Sequence, residues 1–199
     1  MAMSDFLRRA KYLLSETEAS ALESARAEVA FVGRSNVGKS SFLNALCQTD
    51  IARVSKTPGR TRMINVFAVD YLRWLVDLPG YGYAVGPVES REGWSAMIEG
   101  YLMNRPSLRM LYMLVDCKVG PTKLDHQMRE WLMSQNLPYT IVGNKIDQVK
   151  PSQRHAQQKK IAADLHLPMD QMRWISATEG TGIAPLRQEI VKLLQSDNA

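Results

Sequence analysis

An apolar stretch, Glu28-Val29-Ala30-Phe31-Val32, runs straight into Gly33-Arg34-Ser35-Asn36-Val37-Gly38-Lys39-Ser40, and a helix-favouring stretch follows from Ser40 to Cys47. The octet fits G-x-x-x-x-G-K-[ST] in full, between a strand and a helix. Few features constrain a fold more. Glycines let the backbone wrap closely, so that its N–H groups face phosphate oxygens. The start of the next helix adds the positive end of its dipole. Lys39 would reach the β and γ phosphates, and the Ser40 hydroxyl would coordinate Mg²⁺. Alone, the octet indicates a nucleoside triphosphate but not which base.

The rest of the chain alternates in the same way. Two strands, Met63 to Val69 and Leu72 to Val76, are joined so tightly that they must be antiparallel neighbours. Further strands are expected at Arg109 to Asp116, Tyr139 to Val142 and Arg173 to Ile175. Helices are expected at Glu89 to Met103, Leu124 to Gln135, Ser152 to Leu165 and Ile183 to Leu194. This pattern predicts an α/β fold: a mainly parallel, six-stranded sheet with one antiparallel edge strand and helices on both faces. Residues 48–62 lack apolar periodicity and contain Pro58-Gly59, so they read as a mobile loop. A second loop, 77–87, is rich in glycine and proline. Residues 4–27 are rich in Ala, Leu, Glu and Arg, which favours helix. The expected organisation is therefore a helical N-terminal extension, 1–27, before a nucleotide-binding domain, 28–199. Trp94 and Trp131 fall in predicted helices and read as packing residues.

Three further signals narrow the chemistry. Asp77-Leu78-Pro79-Gly80 stands at a strand end, 38 residues after Lys39. An acid there can hold Mg²⁺ through water, and the Gly80 N–H can meet a γ-phosphate. Asn144-Lys145-Ile146-Asp147 follows the strand at 139–143. The Asp147 carboxylate can accept from N1–H and the 2-amino group of guanine, a donor pair that adenine lacks. The Lys145 stem can lie along the base while Asn144 braces the loop. Ser176-Ala177, following Ile175 at the end of the last strand, offers a backbone N–H to guanine O6. A γ-phosphate sensor also needs a hydroxyl that meets Mg²⁺ only when GTP is bound. Thr57 and Thr61 both qualify, and chemistry alone does not choose between them.

Bulk composition fits this reading. With 45% hydrophobic and 23% charged residues among 199, the chain can build a full core. A net charge of +5 is compatible with a nucleic-acid partner but does not demand one. Arg53, Lys56, Arg60 and Arg62 cluster around the first loop, either to touch RNA phosphates or simply as solvated charges. Cys47 and Cys117, 70 positions apart, form no metal spacing and read as reduced thiols. No apolar run approaches the roughly 20 residues needed to span a bilayer. The expectation is a cytoplasmic monomer with no membrane partner.

The chain resembles the EngB (YihA/YsxC) family of bacterial GTP-binding proteins. The match lies in Gly33 to Ser40 with Ser41, in Ser55-Lys56-Thr57-Pro58-Gly59-Arg60-Thr61 with Asn65, and above all in Leu75-Val76-Asp77-Leu78-Pro79-Gly80-Tyr81-Gly82-Tyr83-Ala84. The resemblance runs from about Glu28 to the C-terminus. It points to Thr61 as the switch threonine, a catalytic and Mg²⁺-binding position beside Lys39. It extends the nucleotide contacts to Gly59-Arg60-Thr61-Arg62-Met63. It implies the P-loop GTPase (Ras-like) fold, GTP and GDP as ligands, a precursor of the large ribosomal subunit (RNA and protein) as partner, and a role in normal cell division and septation. Asn36 further suggests K⁺ as an activating ion. Two departures stand out: Asn144 where Thr is frequent in the group, and Thr178 where many GTPases carry lysine. Tyr81 occupies the position of the water-orienting glutamine of Ras-type enzymes, which implies slow intrinsic hydrolysis. The competing readings are a metabolic P-loop kinase, which would leave Asn144 to Asp147 unexplained, and a non-catalytic GTP-dependent scaffold.

Overall fold

The computed structural model describes residues 3–53, 63–81 and 88–196. A short helix, α1 (Met3–Phe6), and a 3-10 turn (Leu7–Arg9) lead into strand β1 (Lys11–Glu16). Strand β2 (Ala27–Gly33) delivers the chain to helix α2 (Lys39–Cys47). The hairpin of β3 (Ile64–Asp70) and β4 (Arg73–Asp77) follows, then α3 (Val88–Asn104) and β5 (Leu108–Asp116). The chain continues through α4 (Lys123–Ser134), β6 (Tyr139–Asn144), α5 (Arg154–Asp164), β7 (Arg173–Trp174) and α6 (Ile183–Gln195). The sheet order is β1-β3-β4-β2-β5-β6-β7.

Five strands, β4, β2, β5, β6 and β7, pair in parallel. β3 runs antiparallel to both of its neighbours. Two expectations are corrected here. The sheet has seven strands rather than six, and the antiparallel β3 lies one place in from the edge. The added edge strand is β1, drawn from the segment expected to be helical, of whose described residues only Met3–Phe6 are α-helix. Helix propensity loses to pairing: β3 would otherwise present an open edge, and Lys11–Glu16 closes it in register with Ile64–Ala68. The Tyr12 ring meets Phe67 edge-on, and the Ser15 hydroxyl donates to Asn65 Oδ1 at 2.6 Å. Leu7 is fully buried among residues of α2 and α6, so the extension is docked on the domain.

The core has two layers because β2, at the centre, is buried on both faces along its whole length. Ala30 and Val32 join Val76, Met113 and Ile141 under α3, α4 and α5. Val29 and Phe31 point the other way, toward Phe42, Leu43, Ile190 and Leu194 of α2 and α6. One charge is trapped in this strand. Glu28 is fully buried, and its carboxylate accepts from Tyr101 Oη at 2.6 Å, Ser107 Oγ at 2.5 Å and the Arg105 guanidinium. A buried charge survives only with such partners.

The far layer also finishes the helix that carries the lysine. Arg187 of α6 donates to the carbonyls of Leu46 and Ala45, at 2.7 and 2.8 Å, which caps the C-terminal end of α2. Arg187→Ala is expected to lower stability by about 1–2 kcal/mol, read as a shifted urea midpoint at constant slope.

Candidate functional site

The C-terminal ends of β2, β4, β5 and β6 converge on one edge of the sheet, where ligands collect in open α/β folds. The loop after β2 turns through Asn36 at φ 66° and Gly38 at φ 93° before α2 begins. Gly38 is required for space as well as for conformation. A Cβ there would lie 2.6 Å from Asn144 Nδ2. The glycine lets the loop after β6 approach the loop after β2.

That approach is bonded. Asn144 is 1% exposed. Its Nδ2 donates to the Val37 carbonyl at 3.0 Å, and its Oδ1 accepts from the Ala177 N–H at 3.4 Å. One side chain thus joins the loops after β2, β6 and β7. Lys145, in the left-handed region at φ 63°, donates from Nζ to the Asn36 carbonyl at 2.6 Å. Ile146 is buried and anchors the 3-10 turn Ile146–Gln148, which leaves Asp147 half-buried. The last loop is held by Ser176, fully buried, whose N–H donates to Thr181 O at 3.0 Å and whose Oγ accepts from Glu179 N at 2.9 Å. Of the residues expected near guanine O6, Ser176 has therefore spent its N–H internally, and the Ala177 N–H faces the Asn144 side chain. Ile175 is buried and donates its N–H to Gly143 O at 2.8 Å.

On the phosphate side, Lys39 and Asp77 form a buried ion pair, with side chains 9% and 3% exposed. Ser40 and Ser41, half-buried, open α2 just beyond the lysine. Leu78 is fully buried, and its N–H donates to Phe31 O at 2.9 Å. Pro79 and Gly80 then fold back onto the phosphate loop: a Cβ on Gly80 would lie 3.3 Å from Gly33 O, Ser35 N and Ser35 Oγ. Arg34 pairs with Tyr81 in a parallel bridge. Met63 is described and 37% exposed. Thr57, Gly59, Arg60, Thr61 and Arg62, with Lys56 of the basic cluster, lie outside the described residues; Arg53 is exposed.

Sequence reasoning missed Asp116. This carboxylate ends β5, is 7% exposed, and accepts from Lys145 Nζ through Oδ2 at 2.7 Å. Its Oδ1 accepts from the N–H groups of Lys118 and Val119 at 2.8 and 3.3 Å. The Asx-type turn fixes the carboxylate, and the carboxylate fixes the lysine stem. An acid ending a strand was the only signal available. Asp116→Ala is expected to weaken guanine-nucleotide binding about tenfold, measured by fluorescence titration, since a charged hydrogen bond that orders Lys145 is lost. Cys117, next along, is buried, and desolvation, with help from Asp116 and Asp147, pushes its thiol up to about 12. It packs beneath the base loop as a neutral thiol. Among the described residues no three His, Cys, Asp or Glu side chains cluster as a metal cage, and no helix is long and apolar enough to cross a membrane. A separate cleft of about 590 Å³ lies between residues 17–22 and α3, but its Arg105 is already committed to Glu28.

A phosphate loop on a parallel sheet, an acid at the end of the neighbouring strand and a base loop bonded across to it define a P-loop GTPase. The model of a family described as 50S ribosome-binding GTPase matches residues 28–145. The chain is 54% identical over 129 residues to a probable GTP-binding protein EngB of Thermotoga petrophila, a match covering 65% of this chain and 66% of that relative. It is 41% identical over 172 residues to the corresponding protein of Clostridium perfringens, covering 85% of both. The fold is similar to a crystal structure of a probable GTP-binding protein EngB, with TM-score 0.67 and 26% identity over 83% of this chain and 99% of that one. It is also similar to a variant of Aquifex aeolicus Era bound to GDP·AlF4⁻, with TM-score 0.66 and 26% identity over 86% of this chain and 57% of that one. The chain belongs to the EngB family of GTP-binding proteins.

Proposed function

We propose that this chain is a GTP-driven switch that hydrolyses GTP slowly and acts in assembly of the large ribosomal subunit, with consequences for cell division and septation. The observation that carries the nucleotide half is the single bonded unit made by Val37, Asn144 and Ala177, with Lys145 laid across to Asn36. It supports a phosphate cradle and a guanine-reading carboxylate one nucleotide apart on a common base. The ribosomal half is supported by the family match alone, and the proposed setting is the cytoplasm.

In this reading the N–H groups of Gly33 to Ser41 and the Lys39 ammonium hold the phosphates. Asp147 reads guanine, Asn144 and Lys145 brace the loop, and the Ala177 N–H, held only by the long 3.4 Å bond to Asn144 Oδ1, turns from it to serve O6. Thr61 and the Gly59–Met63 segment complete the γ-phosphate side. The donor set suits Mg²⁺. Asp77 is a buried carboxylate that now takes its positive charge from Lys39. Once phosphate claims the lysine, the carboxylate needs another cation, and Ser40, Asp77 and Thr61 are the residues that would hold it. Mg²⁺ there would neutralise charge on the phosphate oxygens. Asn36, in its left-handed turn, is the position for a K⁺ effect.

Titration of the purified chain with fluorescent GDP, GTP and ATP analogues, with and without Mg²⁺, tests the nucleotide reading. GDP and GTP should bind at micromolar levels with no ATP binding; equal ATP binding would overturn it. Turnover of the isolated chain should be at or below about 10⁻³ s⁻¹. Turnover near ~1 s⁻¹, approaching the range of assisted GTPases, would refute slow hydrolysis. Equal rates in NaCl and KCl would remove K⁺. Co-sedimentation with large-subunit precursors should favour GTP over GDP and weaken with salt.

A further inference from the structure

Tyr81 follows Gly80, and the structure holds it at three points. Its N–H donates to Gly33 O at 3.2 Å and its carbonyl accepts from the Ser35 N–H at 3.0 Å. Its hydroxyl donates to Asp125 Oδ1 at 2.7 Å. Tyr81 is 4% exposed. Burial, with the neighbouring Asp125 charge, holds the phenol well above its ordinary value, so it stays a donor.

The far anchor is itself immobilised. Asp125 is 2% exposed and sits in the first turn of α4. Its Oδ2 accepts from both the N–H and the hydroxyl of Thr122, each at 2.7 Å, and the Thr122 side chain accepts in turn from the Asp125 N–H, which closes a capping box. The carboxylate therefore has one oxygen for the helix and one for Tyr81. A capping box needs only the first. The second runs outward to the loop that begins at Asp77, and Gly80 lies between two fixed points, the phosphate loop and this helix.

We propose that Asp125 is a positioning residue for γ-phosphate recognition, acting through Tyr81 to hold the Gly80 N–H in place at the phosphate loop. The inference rests on the GTP reading above and deepens it. Fixing the residue after Gly80 removes backbone freedom that the γ-phosphate would otherwise have to remove on binding. GDP has no γ-phosphate and makes no use of that N–H. The device therefore acts on the ratio of GTP to GDP affinity, which a merely structural contact would leave alone.

The test uses the full chain, GDP, and a GTP analogue with an imido β–γ bridge, both with Mg²⁺. Tyr81→Phe keeps the ring and deletes only the hydroxyl. It should weaken the triphosphate analogue about fivefold, the scale of one hydrogen bond, with GDP unchanged within about twofold. Asp125→Ala should shift the ratio in the same direction, and Asp125→Asn, whose amide can still pair with the phenol, should restore it. Thr122→Val deletes the hydroxyl bonds of the capping box but keeps the backbone N–H bond that holds Asp125 Oδ2, and with it the Tyr81 contact; it should lower the thermal midpoint and leave the ratio unchanged. An unchanged ratio in Tyr81→Phe, or equal loss for both nucleotides, overturns the inference while the GTP reading stands. A raised ratio also overturns it, because Asp125 would then hold Gly80 away from the γ-phosphate. Failure of the parent chain to bind GDP overturns the GTP reading and this inference together.

Discussion

Asp147→Asn is expected to weaken GDP and GTP binding by at least about 100-fold, the loss of two hydrogen bonds to a charged acceptor. The carboxylate sits in the 3-10 turn Ile146–Gln148, and the turn is set by Ile146 in the core and Lys145 in its left-handed pose. Neither support depends on the Asp147 charge, so the substitution changes chemistry and leaves geometry. An amide presents one acceptor and one donor to the guanine edge, where both base groups are donors. One pair becomes a clash of donors, and an unpaired buried donor costs more than a missing bond. The same amide suits a base with a carbonyl at C2, so xanthosine diphosphate should bind the variant better than the parent does. Parallel titrations with fluorescent GDP and xanthosine diphosphate check both halves. GDP affinity retained within about threefold would mean that guanine is not read at Asp147, since a single charged hydrogen bond is already worth more.

What the sequence showed of this site and what it hid follow from how far apart the interacting residues lie. Gly33 to Ser40 and Asn144 to Asp147 are contiguous strings that local spacing marks as candidates, and the structure brings them together. The strand–helix alternation was legible too, because β2 and β5 are buried on both faces and read as apolar runs. β1 was not. Lys11–Glu16 has ordinary helix-compatible composition, and only the open edge of β3, about 50 positions away, makes it a strand. Asp116 and Asp125 were hidden for a related reason. An acid at a strand end or in the first turn of a helix has many uses, and its partners, Lys145 and Tyr81, lie 29 and 44 positions away. Tyr81 was noticed for what it replaces. Its bond to Asp125 depends on how α4 packs beside the loop after β4, which no local pattern encodes.

Lys39→Ala is expected to destabilise the nucleotide-free chain by about 3–5 kcal/mol, besides abolishing triphosphate binding. The ion pair with Asp77 joins two side chains that are 9% and 3% exposed. Removing the ammonium strands a carboxylate at the end of β4, where Leu78 and Val76 are fully buried on either side. Water has little access, and the penalty is that of an uncompensated buried charge. The control is the double variant Lys39→Ala with Asp77→Ala. It removes both charges and should recover most of the loss, although both lysine and carboxylate are absent. Urea unfolding of the parent, the two single variants and the double variant gives the coupling energy. A Lys39→Ala chain as stable as the parent would show that the pair does not hold the empty site together. A large coupling carries a consequence for binding. If Lys39 holds phosphate as proposed, phosphate must first take the lysine from Asp77, so nucleotide binding without a replacement cation leaves the same stranded carboxylate that the mutation creates. GDP should accordingly bind the parent more weakly without Mg²⁺ than with it, and Asp77→Ala should remove most of that difference.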